Sequence, residues 1–113
     1  MFTLYPDDQS FPVSVDVKFP SNKGSEQVKT FVMDCVFVSD EKLQELVDLQ
    51  DDFKLLDHVI KDMRDIHDHS GEAIEYSAGL LRKLCNNRRL RTAMVRAYVD
   101  FHYGGKEELQ AKN

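Results

Sequence analysis

Hydrophobic and polar positions first alternate strictly along this chain and later repeat at helical spacing. Val13, Val15, Val17 and Phe19 alternate with Ser14, Asp16 and Lys18, a period of two that predicts a half-buried strand. Pro20-Ser-Asn-Lys-Gly24-Ser is turn chemistry. A second strand is predicted over about 27–38, and it is apolar on both sides. Val28, Val32, Val36 and Val38 lie on one face, interrupted by Asp34, and Phe31, Met33, Cys35 and Phe37 lie on the other. Such a strand needs cover on both faces, and in a short chain helices supply only one of them. The other face is expected to meet another protein or another copy.

From Ser39 the period lengthens. Ser39 is an N-cap with Asp40 and Glu41 in the first turn, followed by a stripe of Leu43, Leu46 and Val47. Beyond Asp51-Asp52 the stripe changes phase to Phe53, Leu56, Ile60 and Met63, which predicts a second or bent helix running through Met63. Arg64 to Glu75 reads as a polar connector with Gly71 at its tip. Ser77 caps a short helix bearing Leu80, Leu81 and Leu84, and Asn86-Asn87 interrupts it. The last helix, about 88–103, places Leu90, Ala93, Met94, Ala97, Tyr98 and Phe101 on one stripe, with Val95 and Val99 opposite among arginines. Gly104-Gly105 ends it. The expected fold is α+β: a single domain over 1–113, with a loose lead-in at 1–11, an antiparallel β-hairpin at 12–38, a bundle of about four helices at 39–103 and a mobile tail at 104–113.

Charge changes this picture most. From Asp40 to Glu75 there are twelve acidic residues and four basic ones, whereas 82–96 holds six basic residues and no acidic one. A unit with one acidic and one basic region can dock head to tail on copies of itself, with charge steering the encounter and fixing its register. The net charge of −5 argues against a dedicated nucleic-acid binder, because phosphate contacts need a dominant positive field. No apolar run approaches the roughly 20 residues of a membrane-spanning helix, and the N-terminus lacks the pattern of a secretory signal. Cys35 and Cys85 sit far apart in apolar contexts and read as buried, reduced thiols of a cytoplasmic protein.

Little in the chain invites catalysis. His67-Asp68-His69, with His58, Asp65 and Glu72 nearby, is the one cluster that resembles a metal site, but the spacing by itself places no third ligand. Neither cysteine has a neighbouring base, and no glycine-rich phosphate loop is present. We therefore expect no cofactor and no metal. Arg88, Arg89, Arg91 and Arg96 are expected to meet Asp51, Asp52, Asp57 or Asp62 of a neighbour, with Phe31, Phe37, Val95 and Val99 supplying apolar contact. A regulator that binds nucleic acid through 82–96 and a metal-dependent enzyme using His58, His67 and His69 are the competing readings.

Val59-Ile60-Lys-Asp-Met-Arg-Asp-Ile-His-Asp-His-Ser-Gly71-Glu-Ala-Ile-Glu-Tyr-Ser77 joins an ending helix, an acidic turn and a new helix start. Leu90-Arg-Thr-Ala-Met-Val-Arg-Ala-Tyr-Val-Asp-Phe101 follows, and Ala111-Lys112-Asn113 closes the chain. With the strand pair and Ser39-Asp-Glu-Lys-Leu-Gln-Glu-Leu46, this layout resembles the tail assembly chaperones of long-tailed bacteriophages from about Val13 to Asn113. Lys61-Asp-Met63 departs from that pattern, which often carries Trp-x-Gly there. The resemblance implies a non-enzymatic protein of the host cytoplasm that self-associates into open rings or spirals during tail morphogenesis. It also implies binding to the tape-measure protein and delivery of tail-tube subunits to it. It further implies a frameshift-extended product, and Ala111-Lys112-Asn113 can be encoded by codons that contain a slippery run.

Overall fold

The computed structural model describes residues 2–104. Seven elements follow one another: β1 (Ser10–Pro20), β2 (Glu26–Val36), α1 (Asp40–Asp48), α2 (Asp52–Val59), β3 (Ile60–Arg64), α3 (Ala78–Cys85) and α4 (Arg88–His102). The strands form one antiparallel sheet in the order β1-β2-β3, and the architecture is α+β.

The alternation in β1 becomes two faces. Val13, Val15 and Val17 are buried, and the register sets Val13 opposite Met33 and Val15 opposite Phe31. Phe31 is therefore a core residue. The outward face carries Ser14, Asp16, Lys18, Val28, Thr30, Val32 and Asp34, tied by Thr30 Oγ1 donating to Asp16 (2.7 Å) and by a two-pronged Arg64–Asp34 pair (2.8 and 3.0 Å). The hairpin turn is held by the Ser21 hydroxyl, which accepts from the amides of Lys23 and Ser25. Gly24 there takes φ of 83°, a conformation that favours glycine.

Each helix starts on a side chain that satisfies an orphan amide. Ser39, Asp51, Ser77 and Asn87 accept from Lys42, Lys54, Leu80 and Leu90 respectively. Each such cap stabilises its helix by about 1 kcal/mol. Gln50, at φ of 54°, breaks the chain between α1 and α2 where the apolar stripe changes phase.

The expected helix through Met63 ends at Val59, and the next five residues are β3, paired to β2. The register slips between Asp34, opposite Asp62, and Cys35, opposite Ile60, leaving Lys61 as the extra residue of a bulge. The bulge returns Ile60 and Met63 to the same buried face although they are three apart, a spacing that imitates a helix. β1 begins at Ser10, inside the expected lead-in, and the tail beyond Gly104 lies outside the described residues.

The core lies between the inner sheet face and the helices, through Leu43, Leu46, Leu55, Leu56, Val59, Leu81, Met94 and Tyr98. Tyr98, fully buried, donates its hydroxyl to Val36 O (2.8 Å) and accepts from Val38 N (3.4 Å). Its neighbour His102 bonds Val38 O through Nε2 (2.9 Å) and stacks on Phe37 at 4.9 Å between ring centroids. The C-terminal half of α4 thus clamps the end of β2.

Candidate self-association surface

The adjoining face of α4, from Arg88 to Asp100, is built differently. Between it and β1 lies a groove of about 870 Å³, lined by Ser14, Asp16, Val17 and Lys18 on the strand side. Arg88, Arg89, Thr92, Ala93, Arg96, Ala97 and Asp100 form the helix side. The small side chains of Thr92, Ala93 and Ala97 leave the space open. Four cations and two carboxylates make the lining positive on a chain whose net charge is −5.

One wall of this groove is the edge of the sheet, because among the described residues β1 pairs with β2 and with no other strand. Arg89 donates to the carbonyl of Lys18, so that carbonyl points away from β2. Outward and inward backbone groups alternate along an antiparallel pair, and the β1–β2 register is unbroken. The outward groups of β1 are therefore those of Ser14, Asp16 and Lys18. Pro12 and Pro20 share that parity, where a missing N–H costs the ladder nothing. The groove-lining strand residues were not among the expected contacts. The two prolines bracketing an alternating run are the sequence signal that marks this edge.

The arginines divide into two sets. Arg88, Arg89 and Arg96 are exposed at the groove. Arg91 is turned inward: its Nε lies 3.4 Å from Asp52 of the same chain and its Nη1 donates to Cys85 O (2.8 Å). Arg82 lies over the Phe53 ring at 4.0 Å. Part of the basic segment is thus matched within the molecule, and Arg91 and Asp52 are not left over for a neighbour. Asp51 is engaged as the α2 cap.

Asp57 and Asp62 are exposed, and Asp62 accepts from the amide of Met63 (2.8 Å). Phe37 is half exposed. Val95 and Val99 are half-buried and line a shallow depression of about 290 Å³ with Asp52, Thr92, Arg96 and Asp100. Phe31, expected at the surface, is buried on the inner sheet face opposite Val15 and offers nothing to a partner.

The polar connector folds into a short ribbon. Ile74 N donates to Ile66 O (2.8 Å), Asp68 N donates to Glu72 O (2.9 Å), and His67 sits opposite Ala73. Asp68 organises the turn by accepting from the Ser70 hydroxyl (2.6 Å) and from the amides of Ser70 and Glu72. The Ser70 hydroxyl, then the Glu72 amide, hold its carboxyl below the usual range. Its lone pairs serve the turn. Among the described residues no three His, Cys, Asp or Glu side chains gather as metal ligands, so His58, His67 and His69 form no centre.

Burial pushes the Cys35 thiol up to about 12, with Asp34 adding to the shift, and burial also raises that of Cys85. Neither is poised as a nucleophile. Among the described residues no helix is long and apolar enough to cross a membrane. No family model, curated protein or solved structure matches the chain.

Proposed function

We propose that this protein is a non-enzymatic assembly chaperone of the long-tailed-bacteriophage kind, acting in the host cytoplasm. It self-associates head to tail and shelters the tape-measure protein during tail morphogenesis, with tail-tube subunits as a further partner. The observation that carries this reading is the separation of surface charge. Arg88, Arg89 and Arg96 line an open groove at the β1 side, while Asp62, Asp65 and Glu75, against the single cation Arg64, line a cleft at the β3 side. Two unlike surfaces on one molecule make heterologous contacts, which extend as rings or filaments instead of closing as a pair. Phe37, Val28, Val47 and Leu49, about half exposed, give such an assembly apolar surface to offer a client.

The test is light scattering on purified protein, followed by co-purification with a helix-rich tape-measure segment. Association that weakens with salt, and retention of the segment, are the expected results. A monomer that ignores the segment contradicts the proposal.

The positive groove also favours a second reading, a regulator that binds nucleic acid through 82–96. A gel shift that fades steeply with salt would support it. The carboxylates of Asp16 and Asp100 inside the groove oppose a phosphate backbone there.

A further inference from the structure

Among the described residues the groove wall is a strand edge with no strand partner, met only by Arg89 at the Lys18 carbonyl, and an edge is completed by another strand. We infer that the β1 edge of one copy takes up the Glu72–Tyr76 segment of the next, so that the sheet continues from molecule to molecule. This rests on the self-association proposed above and specifies how it occurs.

The segment fits the edge in three respects. Part of its backbone is already paired as a strand is. Ile74 N and Glu72 O face Ile66 and Asp68, so the N–H and C=O of Ala73 point the other way. Continued as a strand, the segment gives Glu75 the same parity. Its length also matches: five residues of strand span about 16 Å, as do the five residues from Ser14 to Lys18 that border the groove. Finally, its charge is complementary. Glu72 and Glu75 are exposed acids, and Arg88, Arg89 and Arg96 are exposed cations on the helix that faces the strand edge. The segment lies on the β3 side of the sheet, bordering a cleft with Asp62–Ile66, whereas the receiving edge is β1. Donor and acceptor are different surfaces, so each copy can receive one neighbour and be received by another.

Proline variants separate the two surfaces. Ser14→Pro removes an outward N–H of β1, and Ala73→Pro removes the outward N–H of the segment. Neither touches a ladder bond. In sedimentation velocity each variant alone is expected to be monomeric, since every contact needs one edge of each kind. An equal mixture is expected to form dimers and nothing larger. Variants that assemble like the wild type would overturn the edge pairing while leaving the proposed function standing. A wild-type chain that is itself monomeric removes both.

Cysteine trapping guards against a misfolded proline variant. Asp16→Cys protein mixed with Ala73→Cys or Glu75→Cys protein should give disulfide-linked heterodimers with at least one of the two. An associating mixture in which neither partner yields heterodimer refutes the pairing.

Discussion

Two faces of α4 use the same sheet in opposite ways. On one face, Met94, Tyr98 and His102 are buried, and the Tyr98 hydroxyl and His102 ring replace backbone partners for Val36 and Val38, where β2 ends. The other face turns Arg89, Ala93, Arg96 and Ala97 to β1 and leaves a groove. The difference shows how one helix can fix a fold with one face and leave an edge for assembly at the other.

Damage to the clamp should dominate any stability measurement. Tyr98→Ala is expected to destabilise by about 3–5 kcal/mol, the range for truncating a buried aromatic. Tyr98→Phe, which strands Val36 O and Val38 N, should cost about 1–3 kcal/mol. Urea unfolding measures both, and a neutral Tyr98→Phe would contradict the clamp. The Cys35 thiol gives an independent reading of the same end. With its titration moved up to about 12 by burial and the Asp34 carboxylate, it should resist thiol reagents at mildly alkaline pH and react only as the sheet opens. Tyr98→Ala should speed that reaction.

At the sheet surface, Arg64→Ala should cost below about 1 kcal/mol, because the Asp34 pair is partly exposed despite its two-pronged geometry. At the groove, Arg89→Glu should leave stability within about 0.5 kcal/mol and yet shrink the assemblies, which separates assembly from folding. The smallest effect concerns the acidic ribbon. A carboxyl held low in the folded state contributes stability that is present above its unfolded value and lost as pH falls through the folded one. Acidification should therefore loosen the Asp68 turn locally, visible as Ser70 and Glu72 amide shifts while core resonances stay put.

Much of this division is legible in the residues. Alternation in 13–19 places the strand, Ser39 and Ser77 mark helix starts, and Asn86-Asn87 marks the break before α4. What stays hidden depends on pairing. Ile60 and Met63 continue a helical spacing from Phe53 and Leu56, and only the bulge opposite Asp34-Cys35 turns that spacing into a strand. Phe31 and Phe37 look alike in sequence, yet register against Val15 buries one and the end of β2 exposes the other. Arg91 and Arg89 are equally basic. Only the approach of α2 to α4 gives Arg91 an internal partner in Asp52 and leaves Arg89 at the groove. Local composition announces charge, but tertiary packing decides which charges remain for a neighbour.

The most direct test of assembly through unlike charged surfaces is sedimentation velocity over a dilution series, for wild type and Arg89→Glu, at low and raised salt. The account predicts wild-type species that grow with concentration and shrink with salt, and an Arg89→Glu protein that stays small under both conditions. Wild-type protein that sediments as one monomer throughout would contradict it.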